Sequence, residues 1–383
     1  MKIFSLIIMF YSSFLFSQKK IKIIDSETKI PIPEVRIGYD NEISYTNSDG
    51  FAMIPNDAKN VELYTLQYEQ GLFPVKNIIE LKPIYREIQE VIIKTVDAKK
   101  IINSVLRNYD KNYETRTSIY NGSLKSRSEA DNKLDRMLVI DMNLWTLNNK
   151  YDYRKNVDDF LQVNLKNKKF DKNRKDDKTY IFNKKNGTTE KKYIKSFLQK
   201  FFLYDQLYAI DYYTKGMKIN GNIINESGDI QTIKYRSERT NITDLLYFEG
   251  IMEFNKKENT IIYLQCSQIQ ENVTEKYTNY FDQEIVINTN LFSVTYDMYK
   301  KDGKYIPAKI LIKTSSNLIL DNKTYPSVRY TEFVFRTHKF ANKNGLLQKI
   351  DLEKPFGVDI IDNSIKDTKI LLSSEEQKFV DEP

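Results

Sequence analysis

Apolar and polar residues alternate in short runs through the first hundred positions, and then the period changes. Lys20–Asp25, Val35–Tyr39, Ile43–Thr46, Phe51–Ile54, Val61–Leu66, Asn77–Leu81 and Glu90–Lys94 each read as a short strand bounded by turn residues. Seven such strands predict a seven-stranded β-sandwich over residues 18–95. The sharpest turn is Asn47-Ser48-Asp49-Gly50, where Asp49-Gly50 can take positive φ between two strand-like flanks. From Asp97 the apolar spacing lengthens. Ile101, Ile102, Val105, Leu106 and Tyr109 fall on one helical face, and Asp97 can accept from the free amides of a first turn. This predicts a linking helix over residues 96–113.

Beyond it the pattern returns to strand and turn. Ser118–Ser126 and Met137–Leu147 look extended, and eight further strands are predicted between Lys218 and Ile360. Lys301-Asp302-Gly303 reads as a hairpin turn, and Tyr296, Met298, Ile310 and Ile312 share one face. Long meandering strands predict a mainly β domain over residues 114–383, with a curved antiparallel sheet or half-barrel and few helices. One helical stripe interrupts it. Tyr193, Ile194, Phe197, Leu198, Phe201 and Phe202 predict a helix over Lys192–Tyr204. Its Phe197, Phe201 and Phe202 are bulky enough either to fill the groove of a curved sheet or to form a lid over it. A membrane-surface role is the alternative to both. A short last helix is expected at Glu375–Val380.

Charge changes the picture at one place. Lys166–Lys192 holds eleven basic and four acidic residues, a net +7. Without the first 17 residues the chain carries 58 basic against 52 acidic residues, so outside this segment the charge is −1. Two readings stay open. The segment is a solvated basic loop, or Lys168, Lys169, Lys172, Arg174 and Lys175 form a patch for an anionic membrane surface or an acidic envelope partner. Sparse aromatic residues there speak against nucleic acid.

The first 17 residues read as a signal peptide. Lys2 precedes an apolar run, Ile3–Phe16, broken only by serines, and the polar Gln18-Lys19-Lys20 follows Ser17. The alternative is an uncleaved anchor. Cys266 is the single cysteine, so an intramolecular disulfide is excluded. An exported chain without disulfides suits the periplasm or the periplasmic face of the outer membrane.

Ile21–Pro55, with Asp25, Thr28, Pro31-Ile32, Val35, Thr46 and Asp49-Gly50-Phe51, resembles the carboxypeptidase-like regulatory domain. This is a transthyretin-like sandwich widespread in Bacteroidetes envelope proteins. Leu81–Lys94 is similar to its closing strand, and Asp97–Tyr113 resembles the helix that follows in a subset of these proteins. The resemblance covers about residues 20–113. Ile21 and Lys22 stand where the family commonly has a glycine. It implies a non-catalytic module, because the domain accompanies some carboxypeptidases without being their catalytic part.

No catalytic or cofactor motif accompanies these elements. His338 is the only histidine, in Phe335–Phe340, and reads as an exposed strand position without a serine elbow to serve. One His and one Cys do not make a common zinc site, and no glycine-rich phosphate loop occurs. Calcium at the Asn47–Gly50 turn lacks further ligands at loop spacing. The expectation is a non-enzymatic exported binding or scaffold protein of the cell envelope, without cofactor. A periplasmic carrier of lipid or another apolar ligand is the alternative, and an enzyme of unknown class comes third.

Overall fold

A computed structural model describes residues 18–84, 94–150, 156–174, 200–279, 281–351 and 371–382. The chain is mainly β and divides into two compact units. One joins Met1–Glu90 to Lys366–Pro383, and the other is Val91–Ile365.

Among the described residues the first unit contains seven strands in two sheets. β1 (Gln18–Asp25) lies between β4 (Phe51–Pro55) and β7 (Ile78–Leu81). The other sheet orders β3 (Glu42–Tyr45), β2 (Arg36–Tyr39), β5 (Asn60–Tyr64) and β6 (Gly71–Pro74). The alternation works as a two-residue period should. Val61 and Leu63 point in from β5, Ala52 and Ile54 from β4, and Ile21 and Ile23 from β1, and all join one core. Six of the expected strands are present, and the membership otherwise differs. Gly71–Pro74 is a strand that its Gly and Pro concealed, while Glu90–Lys94 falls mostly outside the described residues.

The C-terminal segment belongs to this unit. Helix α4 (Ser374–Asp381) opens with a capping box, Ser373 Oγ accepting from Glu376 N at 3.2 Å and Glu376 returning to Ser373 N at 3.0 Å. Placing all of 114–383 in one domain is therefore corrected. Of this segment the described residues 371–382 join the N-terminal sandwich, held by hydrogen bonds that no local pattern encodes.

The second unit is built on an antiparallel sheet with eleven strands among the described residues. β8 (Lys94–Asp97) leads into α1 (Ala98–Arg107) and α2 (Tyr109–Asn112). β9 (Ser118–Ala130), β10 (Lys133–Thr146) and β11 (Leu161–Asn173) follow. α3 (Leu203–Tyr213) then precedes a seven-strand meander: β12 (Ile219–Ser227), β13 (Ile230–Ser237), β14 (Leu245–Asn255), β15 (Thr260–Thr278), β16 (Glu284–Lys301), β17 (Lys304–Leu320) and β18 (Lys323–Phe340). The meander starts beside β8 and ends against β9, and among the described residues β11 and β8 stand at the two ends of the strand order. The boundary expected between residues 95 and 96 lies inside β8, because the backbone there pairs with β12. Three hairpins turn on two residues at positive φ: Asp131-Asn132, Asp302-Gly303 and Asp321-Asn322. Asp, Asn and Gly tolerate that region, and the resulting turn matches strand twist.

Register explains how the sheet finds its core. Ile223, Ile233, Met252, Leu264, Tyr296, Ile310, Phe333, Leu124 and Ile140 are successive cross-strand partners. They form one line across nine strands, and all belong to or pack on a single core. A one-residue slip in any strand would turn its apolar set outward. In the neighbouring line Gly250 pairs with Cys266, and a Cβ there would meet the Gln265 carbonyl oxygen at 1.9 Å. α1 packs on this core through Ala98, Ile102 and Val105, and Asp97 caps it by accepting from Lys100 N at 3.1 Å.

Candidate functional site

The aromatic stripe expected to be a filler or a lid resolves into two parts. Phe197 lies outside the described residues. Phe201 and Phe202 are buried, and Phe201 sits with its ring centroid 5.2 Å from Phe333 and 6.2 Å from Phe335. Residues 192–199 of the helix expected over Lys192–Tyr204 lie outside the described residues, and a described helix, α3, runs over Leu203–Tyr213. The preceding residues are held by the Tyr296 hydroxyl, which donates to the Lys200 carbonyl at 2.7 Å. Leu203, Leu207 and Ile210 of α3 close over the same core. The face that a carrier would keep open is therefore filled, among the described residues, by the chain's own side chains.

Cys266 lies in that interior. Gln206 Nε2 is 3.4 Å from its sulfur, and burial pushes the thiol up to about 11. Such a thiol stays protonated at neutral pH and is a poor nucleophile.

The polar centre is elsewhere, where β9 and β18 meet. His338, expected to be exposed, is buried, because the C-terminal end of β18 pairs with β9 along Tyr120 and Ser118. His338 Nε2 is 3.0 Å from Ser118 Oγ. A serine beside a histidine raises the question of catalysis, and the proton inventory answers it. The Ser118 hydroxyl donates its one proton to the Arg116 carbonyl at 2.9 Å. Nε2 must then carry a proton and donate to Ser118, the reverse of what a general base does. Burial, reinforced by nearby Lys301, pushes the imidazole down to about 4, so it is neutral at physiological pH. Ser118 itself is fully buried. Around the pair, Asn149 Nδ2 donates to the Glu114 carbonyl oxygen at 2.8 Å and to the Tyr120 hydroxyl at 2.9 Å. Burial works to raise the Glu114 carboxyl, and the hydrogen bonds from the Arg116 guanidinium and backbone N–H, together with the guanidinium charge, outweigh it, so the net shift is downward. The cluster ties three strand ends together and presents no activated nucleophile.

The turn singled out from the sequence is a docking point. Asn47 Oδ1 accepts from Asp49 N at 3.0 Å and Phe51 N at 2.9 Å, and Gly50 sits at φ +75°. Asn47 Nδ2 donates to the Leu372 carbonyl at 2.9 Å. Asp49 Oδ2 accepts from Ser374 N at 2.7 Å and from Ser374 Oγ at 2.8 Å, placing a carboxylate at the N-terminus of α4. Sequence reading located the turn and missed its partner, which lies 325 residues away. Among the described residues no three His, Cys, Asp or Glu side chains gather to hold a metal ion.

The basic segment begins as a strand. Its first residues, to Asn173, continue β11, because the outer edge of β10 takes them up as hydrogen-bonding partners. Lys168 and Lys172 stand opposite Ile140 and Met137, and Lys169 lies in the same strand. Arg174 Nε donates to the Leu134 carbonyl at 2.9 Å. Lys175 and the remainder to Lys192 lie outside the described residues.

The fold and these clusters define a class: a mainly β protein of two compact units. No helix among the described residues is long and apolar enough to cross a membrane, which says nothing of strands. No family model matches the chain, and no curated protein matches it. Among solved structures it is similar to a Bacteroides fragilis protein described as membrane-associated and of unknown function. The identity is 9% and the TM-score 0.15, with 85% of this chain and 98% of that chain covered. A likeness at that TM-score carries no argument about fold or function.

Proposed function

We propose that the chain is a non-enzymatic binding or scaffold protein, exported to the cell envelope, that works through its outer surface. The observation that carries this reading is the filled interior of the large sheet. Nine cross-strand partners from Ile223 to Ile140 form one apolar line, and Phe201, Phe202 and α3 close over their core. A carrier needs a cavity of several hundred Å³ on such a face. The inward-donating imidazole of His338 and the protonated thiol of Cys266 favour binding over catalysis. The signal-like start and the sandwich's resemblance to envelope modules supply the address, and an envelope protein or an anionic membrane surface is the partner class.

Native mass spectrometry of protein purified from the envelope of its host tests this. The expected result is a mature chain starting near Gln18, without a stoichiometric lipid. One equivalent of lipid that co-purifies, and is lost when Phe201 is substituted, would overturn the scaffold reading and promote the carrier. Recovery of the protein only from the cytosol would overturn the address.

A further inference from the structure

The hairpin joining β13 to β14 contains a feature that neither the core nor the polar cluster uses. Leu245 pairs with Gln270 and Tyr247 with Ile269, so Leu246 is an extra residue between them, a β-bulge. Bulges bend a strand and re-aim its side chains. Beside this one lies an open pocket of about 240 Å³ lined by Arg236, Ser237, Arg239, Leu246 and Tyr247. The frame is firm. Thr240 N donates to the Leu246 carbonyl at 2.7 Å, and Ser237 Oγ accepts from Phe248 N at 3.0 Å.

The lining holds two guanidiniums, a hydroxyl, an aromatic ring and a leucine, and no carboxylate. Arg236 lies over the Tyr247 ring at 3.9 Å, which sets the plane of its guanidinium. Arg236 Nε is 3.9 Å from a Glu249 carboxylate oxygen, and Arg239 is 3.8 Å from one of Glu271. Both separations exceed hydrogen-bond length, so the carboxylates lower the local charge without occupying the N–H donors. A bare oxyanion at 2.7–2.9 Å would make the charge-assisted bonds these pairs do not. The volume is below the usual range for drug-sized ligands and suits one sugar ring, whose C–H face can rest on Leu246 and Tyr247.

We infer that this pocket binds a single sugar residue bearing a carboxylate or phosphate, its oxyanion held between Arg236 and Arg239. The inference goes beyond the scaffold reading. A failed sugar titration leaves that reading standing, and a co-purified lipid leaves the pocket standing.

The full mature chain is titrated by ligand-observed NMR with galacturonate, glucose 6-phosphate, galactose and inorganic phosphate. A ligand of this size should bind with a Kd on the order of 1 mM. Binding of galacturonate identifies the carboxylate source, binding of glucose 6-phosphate the phosphate source, and binding of both the shared oxyanion. Arg239→Gln should weaken the bound acid by about tenfold or more while leaving the melting temperature unchanged, because the side chain is exposed. The proposal is overturned if neither acid binds or if galactose binds as well as galacturonate. It is also overturned if inorganic phosphate matches the sugar phosphate, or if Arg239→Gln binds as the parent does.

Discussion

Replacing Phe201 with alanine tests the interior most directly. The ring is almost fully buried, against Phe333 at 5.2 Å and Phe335 at 6.2 Å. Its removal returns roughly 100 Å² of apolar burial, at about 25 cal/mol per Å², or about 2.5 kcal/mol. Phe333 and Phe335 belong to paired β strands and follow only partly into the gap. A residual void of roughly 50 Å³ at about 24 cal/mol per Å³ then adds about 1 kcal/mol. The expected loss is thus about 3–4 kcal/mol, inside the usual range for a buried Phe→Ala change. Urea unfolding followed by Trp145 fluorescence reads it, since Trp145 is buried in the same unit, on β10. The midpoint should fall with the slope unchanged. A Phe201→Leu variant should recover more than half of the loss. A Phe201→Ala loss below about 1 kcal/mol would refute the filled-core argument, because it would mean the ring bounds an open space and supports no packing.

His338 adds a pH dependence. Burial holds its folded pKa at about 4 against 6.5 when free, so stability present above pH 6.5 is lost as pH falls towards 4. The loss between pH 7.5 and 5 is about 2 kcal/mol; His338→Gln should flatten that part of the urea-midpoint profile, and an unchanged slope would contradict the buried neutral imidazole. Gly50→Val should lower the stability of the sandwich by more than about 2 kcal/mol. It forces a β-branched residue to φ +75°, with a Cβ 2.6 Å from the Ile23 carbonyl oxygen, and a calorimetric melt matching the parent would sink this account. Asp49→Ala removes both bonds to Ser374 and should release α4 at a cost of about 1 kcal/mol. Faster amide exchange confined to residues 374–381 is the expected signature, and unchanged protection there would show that Asp49 does not hold the helix.

The local rules were written plainly along the chain. Two-residue alternation marked Val61 and Leu63, and the same rule found Tyr296, Met298, Ile310 and Ile312 on one face. Asp97 announced the start of α1, and Asp49-Gly50 announced a turn. These are short-range decisions, made by backbone sterics and by side chains a few residues apart, so a single sequence carries them. Gly71–Pro74 escaped because its strand is stabilised by its neighbour β5 and not by its own propensity. Lys166–Asn173 escaped for a similar reason, since the open edge of β10 supplies hydrogen bonds to a stretch whose charge reads as loop.

Everything that decides a site was settled at long range. Asn47 and Asp49 meet Leu372 and Ser374 across 325 residues. His338 meets Ser118 across 220, and it is buried only because β18 closes the meander against β9. The pocket at Arg236 and Arg239 opens only because β14 inserts Leu246 against β15. Periodicity states which face of a strand is apolar and leaves its neighbour unnamed. Pairing is chosen by the summed burial of a whole sheet, so the sequence by itself determined the elements with strong local patterns, and the tertiary structure decided the edge strands and which side chains meet.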